Sequence, residues 1–221
     1  MLKANQQARI GSLSYGFPPI KRMLFLAILL IASMHVFSQN NTDLTYLADI
    51  NEQRLKLNNR SMYVLGGWAV SNIALGTALR GKATGANRYF HEGNAAWNVV
   101  NLAIAGGSLL AGAKADPAAF DMFQTIAEQQ KIEKFLLFNA GLDVGYMATG
   151  LYLMERGKAG VGKKYDRFSG YGKALLLQGG FLFAFDLTVF MLHNSQGSAA
   201  LKQILASTVV TPEGIGLCLR F

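Results

Sequence analysis

Ser61-Met62-Tyr63-Val64-Leu65-Gly66-Gly67-Trp68-Ala69-Val70-Ser71-Asn72-Ile73-Ala74-Leu75-Gly76-Thr77-Ala78-Leu79-Arg80-Gly81-Lys82 is the stretch that decides the fold. It holds no charged side chain until Arg80, and then two cations in three residues. A helix rises 1.5 Å per residue, so about 20 apolar residues cross a hydrocarbon core of ~30 Å. Three further blocks have the same character: residues 93–113, 135–154 and 171–192. All four are rich in Gly and Ala and poor in Pro, as closely packed helices in lipid tend to be. The expected fold is all-α: a four-helix membrane bundle over 61–194.

Composition agrees. The chain has 221 residues, 51% hydrophobic and only 15% charged, against roughly 25% charged in a soluble domain. The net charge of +8 does not point to nucleic acid, because no aromatic-basic patch accompanies it. The basic residues sit in short loops between apolar blocks. Cys218 is the single cysteine, so no internal disulfide can form, and no Cys/His metal pattern is present.

Lys21 and Arg22 precede an apolar run from Met23 to Ala32, followed by Val36-Phe37-Ser38-Gln39. A basic start, a short apolar core and a small residue before the cut describe a secretory signal. Residues 1–38 are therefore expected to be an extension and signal peptide cleaved after Ser38, with translation starting at or near Met23. The alternative is an uncleaved anchor. Cleavage leaves the new N-terminus outside the cytoplasm and puts the loops after the first and third spans inside. Those loops hold Arg80, Lys82 and Arg88, then Arg156, Lys158, Lys163, Lys164 and Arg167. The loop between the second and third spans mixes signs. The positive-inside rule gives the same orientation, with both mature termini extracytoplasmic and the bacterial inner membrane as the location.

The outside segments carry patterns of their own. In 39–60, Leu44, Leu47, Ile50, Leu55 and Leu57 recur among charges, as in an amphipathic helix. Asp116-Pro117 reads as a helix start, with Phe120, Phe123 and Ile126 as its apolar stripe. The tail, 195–221, contains Pro212-Glu213-Gly214 between apolar stretches, as in a short extracytoplasmic β-hairpin. Gly76 to Lys82 and Gly150 to Lys158 end the first and third spans alike. Either two helical hairpins are duplicated or any two spans with basic ends look similar.

Polar residues inside the blocks are the candidate site: Asn72, Asn98, Asn101, Asn139, Asp143, Gln178 and Asp186. Asn94, Asn98 and Asn101 share one helical face, as do Asn139 and Asp143. A carboxylate at mid-bilayer costs a few kcal/mol and faces the bundle interior. Two readings stay open: a hydrogen-bond network locking the helices, or a proton or cation site. Gly141 and Gly145 form a GxxxG around Asp143, read as packing, like the Gly66-Gly67, Gly106-Gly107 and Gly179-Gly180 pairs. His91-Glu92 and His193 read as boundary residues, and Trp68 as a core ring whose N–H needs a partner.

No catalytic constellation is visible, so no enzyme activity, cofactor or metal is expected. The expected partners are the bilayer and either an envelope protein or a second copy. Glu128 to Lys134, Asn139 to Tyr146, Gly170 to Lys173, Leu177 to Phe181 and Phe185-Asp186 resemble an uncharacterised family of four-helix membrane proteins of Bacteroidota-type bacteria. The resemblance implies the signal and the four spans and brings no activity. The sequence thus implies a structural or partner-binding envelope protein, or else a small transporter using its intramembrane carboxylates.

Overall fold

Each apolar block lies in a helix longer than itself. In a computed structural model the backbone is described for residues 19–211 and 214–217, and side chains for 45–205. The helices are α1 (Pro19–Arg80), α2 (Gly85–Lys114), α3 (Met122–Lys158) and α4 (Lys163–Ser207). The chain divides into two units, residues 1–42 and 43–221. In the first, the backbone is helical from Pro19. The start of the expected signal, residues 1–18, lies outside the described residues. Everything below concerns the second unit.

Three helices, α1, α2 and α4, are long and apolar enough to cross a membrane. The expected third span falls short of that standard. Asn139, Asp143 and several glycines dilute its apolar run, and the first turns of α3 are polar.

Local rules explain the ends. Gly85 (φ 57°) and Gly162 (φ 61°) take left-handed conformations just where α2 and α4 begin, which glycine adopts without steric cost. Asp116 caps only a 3₁₀ turn, Pro117–Ala119, by accepting from the Ala118 N–H. The long helix starts instead at Asp121. Its side chain accepts from the Gln124 N–H at 2.8 Å while Gln124 Oε1 accepts from the Asp121 N–H at 3.0 Å, a reciprocal capping box. The expected stripe breaks up as well. Phe123 is exposed, and Phe120 lies under the Arg54 guanidinium, 5.1 Å from ring centroid to Cζ.

Residues 43–60 continue into the first apolar block without a break. The buried residues among them are Leu47, Asn51 and Arg54, so of the expected leucine stripe Leu47 is buried while Ile50, Leu55 and Leu57 are half-buried. Helix α4 packs closely on both α2 and α3. A Cβ on Gly172 would lie 2.6 Å from the Gly150 carbonyl oxygen, and one on Gly179 would lie 2.9 Å from that of Asp143. Gly170 sits directly on the Ala86 carbonyl and the Tyr89 side chain. By contrast, Gly141 and Gly145 have open space where a Cβ would be, as do Gly67, Gly106, Gly107 and Gly180. The GxxxG expectation therefore fails: the motif faces away from the neighbouring helices.

The apolar core joins Met62 and Leu65 of α1 to Ala105 of α2, with Phe181, Leu182 and Phe185 of α4 against it. Trp68 stacks on Phe181, centroids 3.8 Å apart. In the tail, β1 (Thr208–Thr211) and β2 (Gly214–Leu217) pair antiparallel, Thr208 opposite Leu217. Their side chains lie outside the described residues, as do Cys218 and Phe221, so the hairpin is not counted among the elements that build the fold.

Candidate functional site

The seven polar residues separate into two groups. The first is a network of amides. The 4-and-3 spacing of Asn94, Asn98 and Asn101 places three amides on one face of α2, and all three are buried. Asn94 donates to Asn72 Oδ1 of α1 at 2.7 Å, and Asn72 donates to the Trp68 carbonyl at 2.8 Å. Asn98 donates to the Asn94 carbonyl at 2.8 Å, and its Oδ1 accepts from Asn101 at 3.3 Å. Gln178 of α4, fully buried, closes the set. Its Oε1 accepts from Trp68 Nε1 at 3.2 Å and from Asn101 at 3.4 Å, and its Nε2 donates to Asn94 Oδ1. Trp68 thus finds the partner its N–H requires. Three helices are tied by amides that satisfy one another, as buried polar groups must be.

The second group is a carboxyl pair. Asp143 of α3 and Asp186 of α4 are 3% and 6% exposed and line the same cavity. Asp143 Oδ2 is buried and has no hydrogen-bond partner among the described residues. Both carboxyls line a cavity of about 420 Å³, which Asn101 and Asn139 also line. Asn139 is half-buried, one turn before Asp143. Apart from these groups the walls near the pair are apolar: Leu142, Leu182, Phe185 and Val189. Asn101 is the residue common to the network and the cavity.

A third cluster escaped sequence reasoning. At the opposite end from the basic loops, Asn51 and Arg54 of α1 both meet Thr125 of α3, at 2.9 Å and 3.2 Å. Gln129 donates to the His193 carbonyl at 2.7 Å. His193 is fully buried rather than at a boundary, and neither ring nitrogen has a partner among the described residues. The available signal was a polar register, Asn51, Arg54, Asn58 and Ser61, at helical spacing. It was masked by leucines on the neighbouring faces.

At the basic-loop end, Glu92 stands one residue before the block expected to span. It pairs with Arg80 at 2.8 Å and accepts from the Tyr171 hydroxyl at 2.8 Å. That hydroxyl, followed by the nearby arginines, holds the Glu92 carboxyl below its ordinary value. Among the described residues, no group of three His, Cys, Asp or Glu side chains could hold a metal ion.

All seven candidate residues fall within 64–187, the segment matched by the model of a family of unknown function, DUF6992. That match covers more than half of the chain. The chain belongs to DUF6992. No curated protein and no solved structure matches it. Membership of DUF6992 thus agrees with the expectation of an uncharacterised family, and no activity comes with it. Asn51, Arg54 and His193 lie outside the DUF6992 segment.

Proposed function

We propose that this DUF6992 protein is a four-span bacterial envelope protein in which the amide network holds the bundle together and the carboxyl pair binds a proton or a small cation for passage across the membrane. One observation carries the reading: Asp143 keeps a buried, unpartnered oxygen on a ligand-sized cavity. An unsatisfied buried acceptor costs about 1–3 kcal/mol; Tyr46, Asn51, Asn59 and His193 also leave buried polar atoms unbonded among the described residues, but none of them lines this cavity. The amides show what a purely structural solution looks like in this protein.

The proposed topology has a cleaved signal, spans near 61–79, 93–113, 135–154 and 171–192, and both mature termini outside the cytoplasm. Helix α3 then crosses despite its weaker hydropathy because Asn139 and Asp143 face the bundle and not lipid, where intramembrane carboxyls are expected. Location in the inner membrane follows from apolar helices of this length. No catalytic step is assigned. The outside ends of α1, α3 and α4, with the tail hairpin, form the surface for an envelope partner or a second copy. A cavity of about 570 Å³ there, bordered by Arg54, Gln129 and Glu133, supports that part of the reading.

The test is flux in proteoliposomes under an imposed proton or sodium gradient. Wild type is expected to dissipate the gradient faster than empty vesicles, and Asp143→Asn/Asp186→Asn to return it to the empty-vesicle rate. Equal flux for wild type and double variant would rule the reading out.

A further inference from the structure

The carboxyl cavity is not closed on all sides. Helices α2 and α3 each pack along α4 but approach each other little. Where they meet, the Trp97 and Tyr146 rings touch edge to face, centroids 4.7 Å apart. Beyond that ring pair the two helices leave a slot. Its lips are Val100 and Ile104 on α2 and Phe135 and Leu142 on α3. All four line the cavity, yet they are 56%, 52%, 61% and 41% exposed. Lining residues that are also surface residues mark an opening. This one lies within the blocks read as spans, so it faces the side of the bundle rather than an end.

The slot is elongated. It runs along α3 from Lys131 to Tyr146, about 22 Å at 1.5 Å per residue. Along it aliphatic and aromatic walls alternate with Asn58, Asn101, Ser108 and Asn139; Glu128 and Lys131, of opposite sign, stand at one end, and Asp143 and Asp186 are the two like charges deeper in. The volume of about 420 Å³ is in the range that holds a small organic molecule. A hydrated inorganic ion would leave most of those apolar walls unused. An anionic headgroup would meet two carboxyls.

Resting on the proposed cation-site reading, we infer that the occupant of this cavity is a lipophilic primary ammonium, which enters from the bilayer between α2 and α3. Its N–H groups donate to Asp143 Oδ2 and to the Asp186 carboxyl, supplying the partner that Oδ2 lacks. Its aliphatic body lies along the slot toward Phe135. The Trp97–Tyr146 pair forms the floor. A charge-assisted bond to a desolvated carboxylate is stronger than one between neutral groups, and the apolar walls add burial of the chain.

The experiment is binding of decylamine to the full chain in nanodiscs of neutral lipid, with empty nanodiscs as the partition control. N-decylacetamide and decanoate are the comparison probes, and sodium binding is measured on the same samples. Saturable binding of decylamine is expected, with both comparison probes at least tenfold weaker. Asp143→Asn should weaken decylamine at least tenfold. Ile104→Trp, which narrows the mouth without touching the carboxyls, should slow its entry while the melting temperature stays unchanged. Equal binding of decylamine and N-decylacetamide, or no effect of Asp143→Asn, overturns the inference. If sodium binds through Asp143 and decylamine does not, the ligand class is wrong and the cation site stands. If neither binds, the inference is wrong and the cation part of the proposed function falls with it, leaving the proton to the flux assay.

Discussion

One side of this bundle is sealed and the other is not. Where α4 meets α2 and α1, amides bond amides and aromatic rings stack. Where α4 meets α3, glycines such as Gly150 and Gly172 bring backbones into contact. Between α2 and α3 there is a slot, with two carboxyls inside and one acceptor oxygen left without a partner among the described residues. Both sides bury polar groups at comparable depth. The difference lies in satisfaction: one set is closed on itself, and the other is open to something further. Similar residue types in similar helices can therefore serve adhesion on one side and recognition on the other.

The largest effect should come from the sealed side. Gly172→Ala drives a Cβ to 2.6 Å from the Gly150 carbonyl oxygen, so α3 and α4 must separate. Overpacking of this kind costs about 1–3 kcal/mol, and a clear fall in melting temperature in detergent is expected. Gly145→Ala, on the face of α3 turned away from its neighbours, meets no atom and gains helix propensity of up to about 1 kcal/mol. An unchanged or slightly higher melting temperature is expected. If Gly145→Ala were as damaging as Gly172→Ala, the assignment of packed and open faces would be wrong.

The smallest effect concerns the basic-loop end. The Glu92 carboxyl is held below its ordinary value, chiefly by the Tyr171 hydroxyl. A carboxyl depressed in the folded state contributes stability above its unfolded value and loses that contribution as pH falls through the folded value. Tyr171→Phe should therefore lower stability slightly at neutral pH and flatten its decline below about pH 4.5, where an ordinary glutamate titrates. Melting curves of both proteins across pH 3–7 would show this. Parallel curves would remove the hydroxyl from the account.

Much of the helical architecture was legible. The four apolar blocks and their basic ends are strong periodic and compositional signals, and each block does lie in a helix. Finer features were not. Asp116-Pro117 looked like a helix start, but a second acid, Asp121, with Gln124 three residues on, completes the better cap. Gly141 and Gly145 carry a packing motif, yet only helix rotation decides which face meets a neighbour, and the sequence contains no direct record of rotation. The reverse held for Gly172, a single glycine at the closest approach. The candidate polar residues were legible one by one as polar groups in apolar surroundings. Their division was not, because hydrogen-bond satisfaction depends on pairs such as Gln178 with Asn94, 84 residues apart. His193 looked peripheral because burial outside the apolar blocks has no simple sequence signature.

The most direct test of this division of labour is thermal stability in one detergent for Gln178→Leu beside Asp143→Asn and Asp186→Asn. Gln178→Leu strands the Trp68 N–H and amide groups of Asn94 and Asn101, and should cost about 1–2 kcal/mol, a fall of several degrees. The two aspartate variants keep shape and hydrogen-bonding capacity, and should melt within about 0.5 kcal/mol of wild type or above it. The opposite order, with Gln178→Leu harmless and either aspartate variant strongly destabilised, would contradict the account and make the carboxyl pair the structural element.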